Sequence, residues 1–245
     1  MLTIDLPDHN TLACECHGNG APLLYIHGYP LSRRLWERQW LALSDFAQVI
    51  APDLRGHGDS QPGQAPHTME QFAQDCFDLL DALGIASPVH ICGLSMGGYV
   101  AMAMLRLQPE RIASLILTAT RAAADTSEAK ASRDASIKLV QEQGVEPIIA
   151  GMLPRLLSPH SLADRPDLVS LARQIMSAVP ASTVIKDLQG LKERLDSTRL
   201  LAGSSAPVLI IHGADDQIVP LVEAQTLQQT IPNAQLTVLP KAGHL

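Results

Sequence analysis

Short apolar runs alternate with segments of helical spacing along most of the chain. Leu2 to Leu6 and Thr11 to Cys16 read as two strands turned at Pro7-Asp8-His9-Asn10. Buried strands are predicted at Pro22 to His27 and Gln48 to Ala51, and further strands at Val89 to Cys92, Ser114 to Thr118, Val208 to His212 and Leu236 to Leu239. Between them, Arg33 to Leu43 places Leu35, Trp36, Trp40 and Leu43 at helical intervals. Thr68 to Leu83 carries an apolar stripe that includes Met69, Phe72, Cys76 and Leu80, with Gly84 as a stop. Thr68 and Gln71 have the spacing of a capping box. Helices are also predicted at Met96 to Leu107 and Val222 to Gln229.

The texture changes between Arg121 and Gly203, where no strand pattern occurs. Gly144, Pro147, Pro154, Pro159, Pro166 and Pro180 break this stretch into short helices. Repeated strand–helix–strand order predicts an α/β fold, a mostly parallel sheet of about eight strands covered by helices. The division is a core of residues 1–120 and 204–245, with residues 121–203 as a helical lid over the C-terminal sheet edge, where open α/β folds bind ligands.

Composition narrows the function. The 245 residues carry 18 basic and 25 acidic side chains, a net charge of −7, which argues against nucleic acid and against an anionic membrane surface as partners. Cys14, Cys16, Cys76 and Cys92 do not make a disulfide framework, and Cys14-x-Cys16 lacks zinc or redox spacing, so small apolar fillers on one strand face are expected. Neither a signal-peptide pattern at Met1-Leu2-Thr3-Ile4-Asp5 nor an apolar run of membrane-spanning length is visible, and a cytoplasmic protein is expected.

The chemistry concentrates in Gly93-Leu94-Ser95-Met96-Gly97, a G-x-S-x-G pattern between an apolar strand and an amphipathic helix. That context defines a nucleophile elbow: a serine in strained backbone geometry, flanked by glycines because a Cβ there would clash. Serine needs a base. In the chain order Ser, acid, His, the base is His244, following the last predicted strand. The acid should follow the strand ending at His212, where Asp215 and Asp216 are both candidates and Asp216 is preferred. Oxyanion donors are expected from the backbone N–H groups of Met96 and Tyr29, the latter in His27-Gly28-Tyr29-Pro30. His27 itself is expected to be a structural hydrogen-bonder.

Together these motifs resemble the α/β-hydrolase superfamily over nearly the whole chain. Asp53-Leu54-Arg55-Gly56-His57-Gly58-Asp59-Ser60 is similar to the family's D-x-R-G-x-G-x-S loop, which by analogy supports the fold. His57 and Asp59 lack a third clustered ligand, so no metal site is expected there. His27 to Ser32 with Trp36-Glu37-Arg38-Gln39 resembles arylesterases and cofactor-free haloperoxidases. The serine region and helical lid resemble 3-oxoadipate enol-lactonases. Epoxide hydrolases and haloalkane dehalogenases share the H-G-x-P loop but use an aspartate nucleophile where this chain has Ser95. Members of the family carry a closing helix after the histidine, whereas this sequence stops at Leu245. Whether such a helix was removed or is absent stays open, and a frayed His244 is expected in the second case.

The resulting expectation is a serine hydrolase of carboxylic esters or lactones, acting through an acyl-enzyme on Ser95 without metal or organic cofactor. Met152, Leu153, Leu156, Leu157, Ile175 and Met176 are expected to line an acyl pocket for small to medium, fairly apolar substrates. The same residues also fit carbon–carbon bond hydrolysis or perhydrolase/haloperoxidase chemistry. A ligand-binding receptor on the same scaffold is the reading from a different class.

Overall fold

The computed structural model describes residues 1–245. Its strands are β1 (Leu2–Asp5), β2 (Thr11–His17), β3 (Ala21–Ile26), β4 (Ala47–Pro52), β5 (Val89–Leu94), β6 (Ile112–Thr118), β7 (Val208–Gly213) and β8 (Gln235–Leu239). They form one eight-stranded sheet in the order β1-β2-β4-β3-β5-β6-β7-β8. Only β2 runs antiparallel to its neighbours, β1 and β4; the remaining pairings are parallel.

The apolar runs are explained by burial on both faces. Alternate residues of β3 go to opposite sides: Leu24 and Ile26 enter one core, Leu23 and Tyr25 the other. The helices are α1 (Glu37–Leu43), α2 (Met69–Ala82), α3 (Met96–Leu107), α4 (Ser127–Gln143), α5 (Glu146–Leu156), α6 (Pro159–Asp164), α7 (Pro166–Ser177), α8 (Ala181–Glu193), α9 (Thr198–Ala202) and α10 (Leu221–Thr230). The larger core packs α2, α3 and α10 on one sheet face. On the other face, Trp36 and Trp40 meet residues of α5 and α7. Cys14 is buried in the larger core and Cys16 packs against it from the same face. No single helix is long and apolar enough to cross a membrane.

Two local expectations change. Thr68 Oγ1 accepts the Gln71 N–H at 3.0 Å, but the Gln71 amide donates to Asp75 at 2.9 Å, so the return arm of the capping box is not made. Among the prolines, Pro147, Pro159 and Pro166 stand in the first turns of α5, α6 and α7, where a missing N–H is no loss. Pro154 is no break at all: it lies in the last turn of α5, where its ring removes a single ladder bond.

The helices α4 to α9 intervene between β6 and β7. The sequence-based division assigns α9 to the insertion, yet its Leu201 is fully buried in the larger sheet core. A buried cluster ties α8 to the loop after β4. Asp187 lies 3.0 Å from His57 Nε2 and 2.7 Å from His67 Nδ1, and none of the three side chains is exposed. The rest of that loop is equally structural. Asp53 accepts from the backbone N–H groups of Arg33 and Asp59 at 2.7 and 2.9 Å and pairs with the Arg33 guanidinium. Thus His57 and Asp59 face different partners, Asp187 and Arg33.

Candidate active site

Ser95 sits between β5 and α3 with φ 53° and ψ −112°, a conformation that costs a non-glycine residue on the order of 1–3 kcal/mol. Its surroundings hold it there. Ser95 N–H donates to Thr118 O at 2.8 Å, and Thr120 Oγ1 donates to Ser95 O at 2.9 Å. The flanking glycines are sterically required. A Cβ on Gly97 would strike the carbonyl oxygen of Ile26 and come within 2.8 Å of that of His27, and one on Gly93 would strike Gly97. Met96 begins α3, so its N–H precedes the intrahelical ladder and is open to an acceptor at the helix N-terminus.

The loop after β3 comes up against this turn. A Cβ on Gly28 would lie 3.3 Å from Ser95 Cβ. The next residue, Tyr29, gives its N–H to no backbone or side-chain acceptor, and the Tyr29–Pro30 bond is cis. Beneath it, His27 Nε2 accepts from Leu54 N–H at 3.0 Å and Nδ1 donates to Gly28 O at 2.9 Å. Burial, reinforced by the neighbouring His57, lowers the His27 pKa to about 3, so the ring stays neutral. It props the loop and carries no proton traffic.

His244 arrives from the segment after β8. Its Nδ1–H donates to Asp216 Oδ2 at 2.8 Å, which fixes the tautomer and leaves Nε2 as the basic nitrogen. Asp216 Oδ1 accepts from Ile218 and Val219 N–H at 2.8 and 2.9 Å. Burial alone would raise the Asp216 pKa. The hydrogen bond and charge of His244, with those two amides, outweigh it and hold the carboxyl below its ordinary range. Asp215 is exposed and makes only a backbone bond to Ala242 O, at 2.9 Å.

His244 is not frayed. The N–H groups of His244 and Leu245 both donate to Leu156 O at 2.9 Å, satisfying a carbonyl that the end of α5 leaves open. Gly243 lets the segment lie flat, since a Cβ there would be 2.5 Å from Ser158 N.

Ser95, Met96, Tyr29 and His244 line one cavity of about 570 Å³. Both Ser95 and His244 line it, and no direct hydrogen bond joins them; such contacts often tighten only when substrate binds. Of the expected pocket residues, only Met152 reaches this cavity. Leu153, Leu156, Ile175 and Met176 are buried in the core beneath α5 and α7, and Leu157 lines a separate groove with Leu31 and Leu171. Helix α5 is apolar on two sides, with Ile148 and Met152 on the cavity and Ile149 and Leu153 in the core, so hydrophobicity did not indicate which side faces the cavity, and α7 does not reach it. The sequence reading missed Arg121, Arg133 and Arg155, which also line it. Ala129, Ser132, Arg133 and Ser136 line it from α4 at intervals of one helical face. A polar stripe of that kind reads as solvent-facing.

Comparison with known proteins agrees with this architecture. The chain matches the family model described as alpha/beta hydrolase fold over residues 21–245, and it belongs to that family. It is 31% identical over 223 residues to 3-oxoadipate enol-lactonase 2 of Acinetobacter baylyi, covering 91% of this chain and 81% of that protein. A non-heme haloperoxidase of Rhodococcus erythropolis is 29% identical, with 93% and 86% of the two chains covered. Among solved structures, a thermophilic esterase from Thermogutta terrifontis with malate bound superimposes with a TM-score of 0.95 at 39% identity, covering 99% of this chain and 90% of that one. The protein is a hydrolase-family member whose similar relatives include esterases, enol-lactonases and haloperoxidases.

Proposed function

We propose that the protein hydrolyses carboxylic esters or lactones through an acyl-enzyme on Ser95. The observation that carries this reading is the strained serine at the elbow, sharing a cavity with a histidine whose Nδ1 is held by Asp216 at 2.8 Å. In the proposed reaction, Ser95 Oγ attacks the acyl carbon and passes its proton to His244 Nε2. The oxyanion forms near the backbone N–H groups of Tyr29 and Met96, two residues that line the same cavity. Collapse expels the alcohol, protonated by His244. Water, deprotonated by the same ring, then releases the acid and restores Ser95. Asp216 orients the imidazole and stabilises its cationic form.

Residues 121–203 act in this reading as a lid that sets substrate size. The enol-lactonase and esterase relatives favour ester and lactone substrates, and the esterase solved with malate fits a pocket for small molecules. The haloperoxidase relative supports a second use of the same site, in which peroxide replaces water at the acyl-enzyme.

The test is labelling with a fluorophosphonate followed by peptide mapping, alongside p-nitrophenyl acetate kinetics. The label is expected on Ser95, with an initial burst of p-nitrophenol. Ser95→Ala is expected to lower turnover by about four orders of magnitude or more. A label elsewhere, or turnover that survives in Ser95→Ala, overturns the reading.

A further inference from the structure

The cavity beside Ser95 has a lopsided charge. Three arginines line it and no aspartate or glutamate does, although the chain as a whole carries a net charge of −7. The acidic excess therefore lies elsewhere, and the cavity is a positive spot on an acidic protein.

Neighbouring carboxylates cancel only part of this charge. Buried Asp125 accepts from Arg121 Nη2 at 2.9 Å, from Arg133 Nε and from Arg194 Nη1. Asp125 offsets one of these three guanidinium groups, while Glu223 acts on Arg121 and Arg194 acts on Asp196, so the free positive charge rests mainly on Arg133 and Arg155. Asp134, next to Arg133 in the chain, is taken by Lys192 at 2.8 Å. Arg133 gives only its Nε–H to a protein acceptor, so both Nη groups are available. Arg155 donates from Nη2 to a neutral acceptor, Gln217 O, at 2.7 Å.

The cavity is also amphipathic. Arg133 stands on the polar stripe of α4 with Ser132 and Ser136, and Ile148, Met152 and Ile218 line the same space. A planar guanidinium whose two Nη groups are free matches a carboxylate in a forked pair, and the apolar wall suits a short methylene chain. Building on the hydrolase reading of this site, we propose that the substrate is an ester or lactone bearing a free carboxylate, received by Arg133 with Arg121 and Arg155 beside it. Monoesters of short dicarboxylic acids have this form.

The experiment compares monoethyl glutarate with diethyl glutarate, hydrolysis being followed by alkali uptake. Wild-type kcat/KM is expected to favour the monoester by at least about tenfold, the size of effect a charge-assisted pair supplies. The preference should shrink by about that factor in Arg133→Gln and persist in part in Arg133→Lys, which keeps the charge but not the fork. Because Arg133 also holds Asp125, Arg155→Gln serves as a second variant; Arg155 bonds only a carbonyl, and its loss should also reduce the preference. Wild-type turnover of the diester equal to or faster than the monoester overturns the inference and leaves the hydrolase reading standing. A wild-type preference unchanged in both neutral variants also overturns it. If neither ester is hydrolysed, the hydrolase reading fails, and calorimetric binding of the two esters to Ser95→Ala decides the charge preference separately: tighter binding of the monoester supports it, equal binding overturns it.

Discussion

At the scale of single residues, the site depends on what has been left out as much as on what is present. Gly97→Ala adds one methyl group against the backbone oxygens of Ile26 and His27. Neither can move without shifting β3, and a loss of about 3 kcal/mol or more is expected in urea unfolding. Gly144→Ala makes the opposite case. Its Cβ meets nothing, but the backbone is at φ 75° and ψ −165°, and a loss of about 1–3 kcal/mol is expected from conformation alone. Asp216→Asn keeps an acceptor for Ile218 and Val219 but no longer fixes the His244 tautomer. On the proposed chemistry kcat should fall by about three to four orders of magnitude with KM little changed. The positions of Ser95 and His244 were legible because spacing and chain order are written in the sequence. The choice between Asp215 and Asp216 turns on which side chain faces inward, and adjacent aspartates carry no mark of that.

At the scale of elements, the inner strands and α3 were legible because burial leaves long apolar runs, whereas the edge strands β1 and β8 are mostly exposed. The insertion was less so. Its helices were visible through their prolines, but which side of each faces the cavity depends on neighbours far away in the chain. The same is true of Asp187, which meets His67 across 120 positions. On its own helix it reads as one more surface acid. Asp187→Asn removes the charge that holds α8 to His57 and His67, and the loss of one partner from a buried ionic cluster costs about 3–5 kcal/mol. The expected outcome is a lower Tm with earlier proteolytic cleavage in residues 121–203 than elsewhere; uniform cleavage along the chain would show that α8 is held by its apolar contacts instead.

At the scale of the whole molecule, stability should peak close to neutral pH, because the neutral, buried His27, its pKa lowered to about 3, loses stability once pH falls below the ordinary 6.5. Burial would raise the Asp187 and Asp216 pKa values, but their histidine partners prevail and both are lowered. Their contribution is complete above the ordinary carboxylate range and is lost as pH falls through the depressed folded values. His57 behaves in the reverse sense. Burial would lower its pKa, yet Asp187 and the Arg55 carbonyl raise it above the ordinary 6.5. Its contribution is complete below that value and is lost as pH rises through the raised one. Melting temperatures across pH should therefore trace a dome whose alkaline flank flattens in His57→Asn; an unchanged alkaline flank would assign that slope to other groups. The single carbonyl at the end of α5 has a further consequence at this scale. Leu156 O accepts from the His244 and Leu245 amides, so on the proposed chemistry the roof of the site and its proton carrier are tied by the same knot. A roof lifted at that end to admit a bulky guest would let the imidazole drift, and reaction would wait until it settled. Guests small enough to slip in beneath a stationary roof would escape this delay.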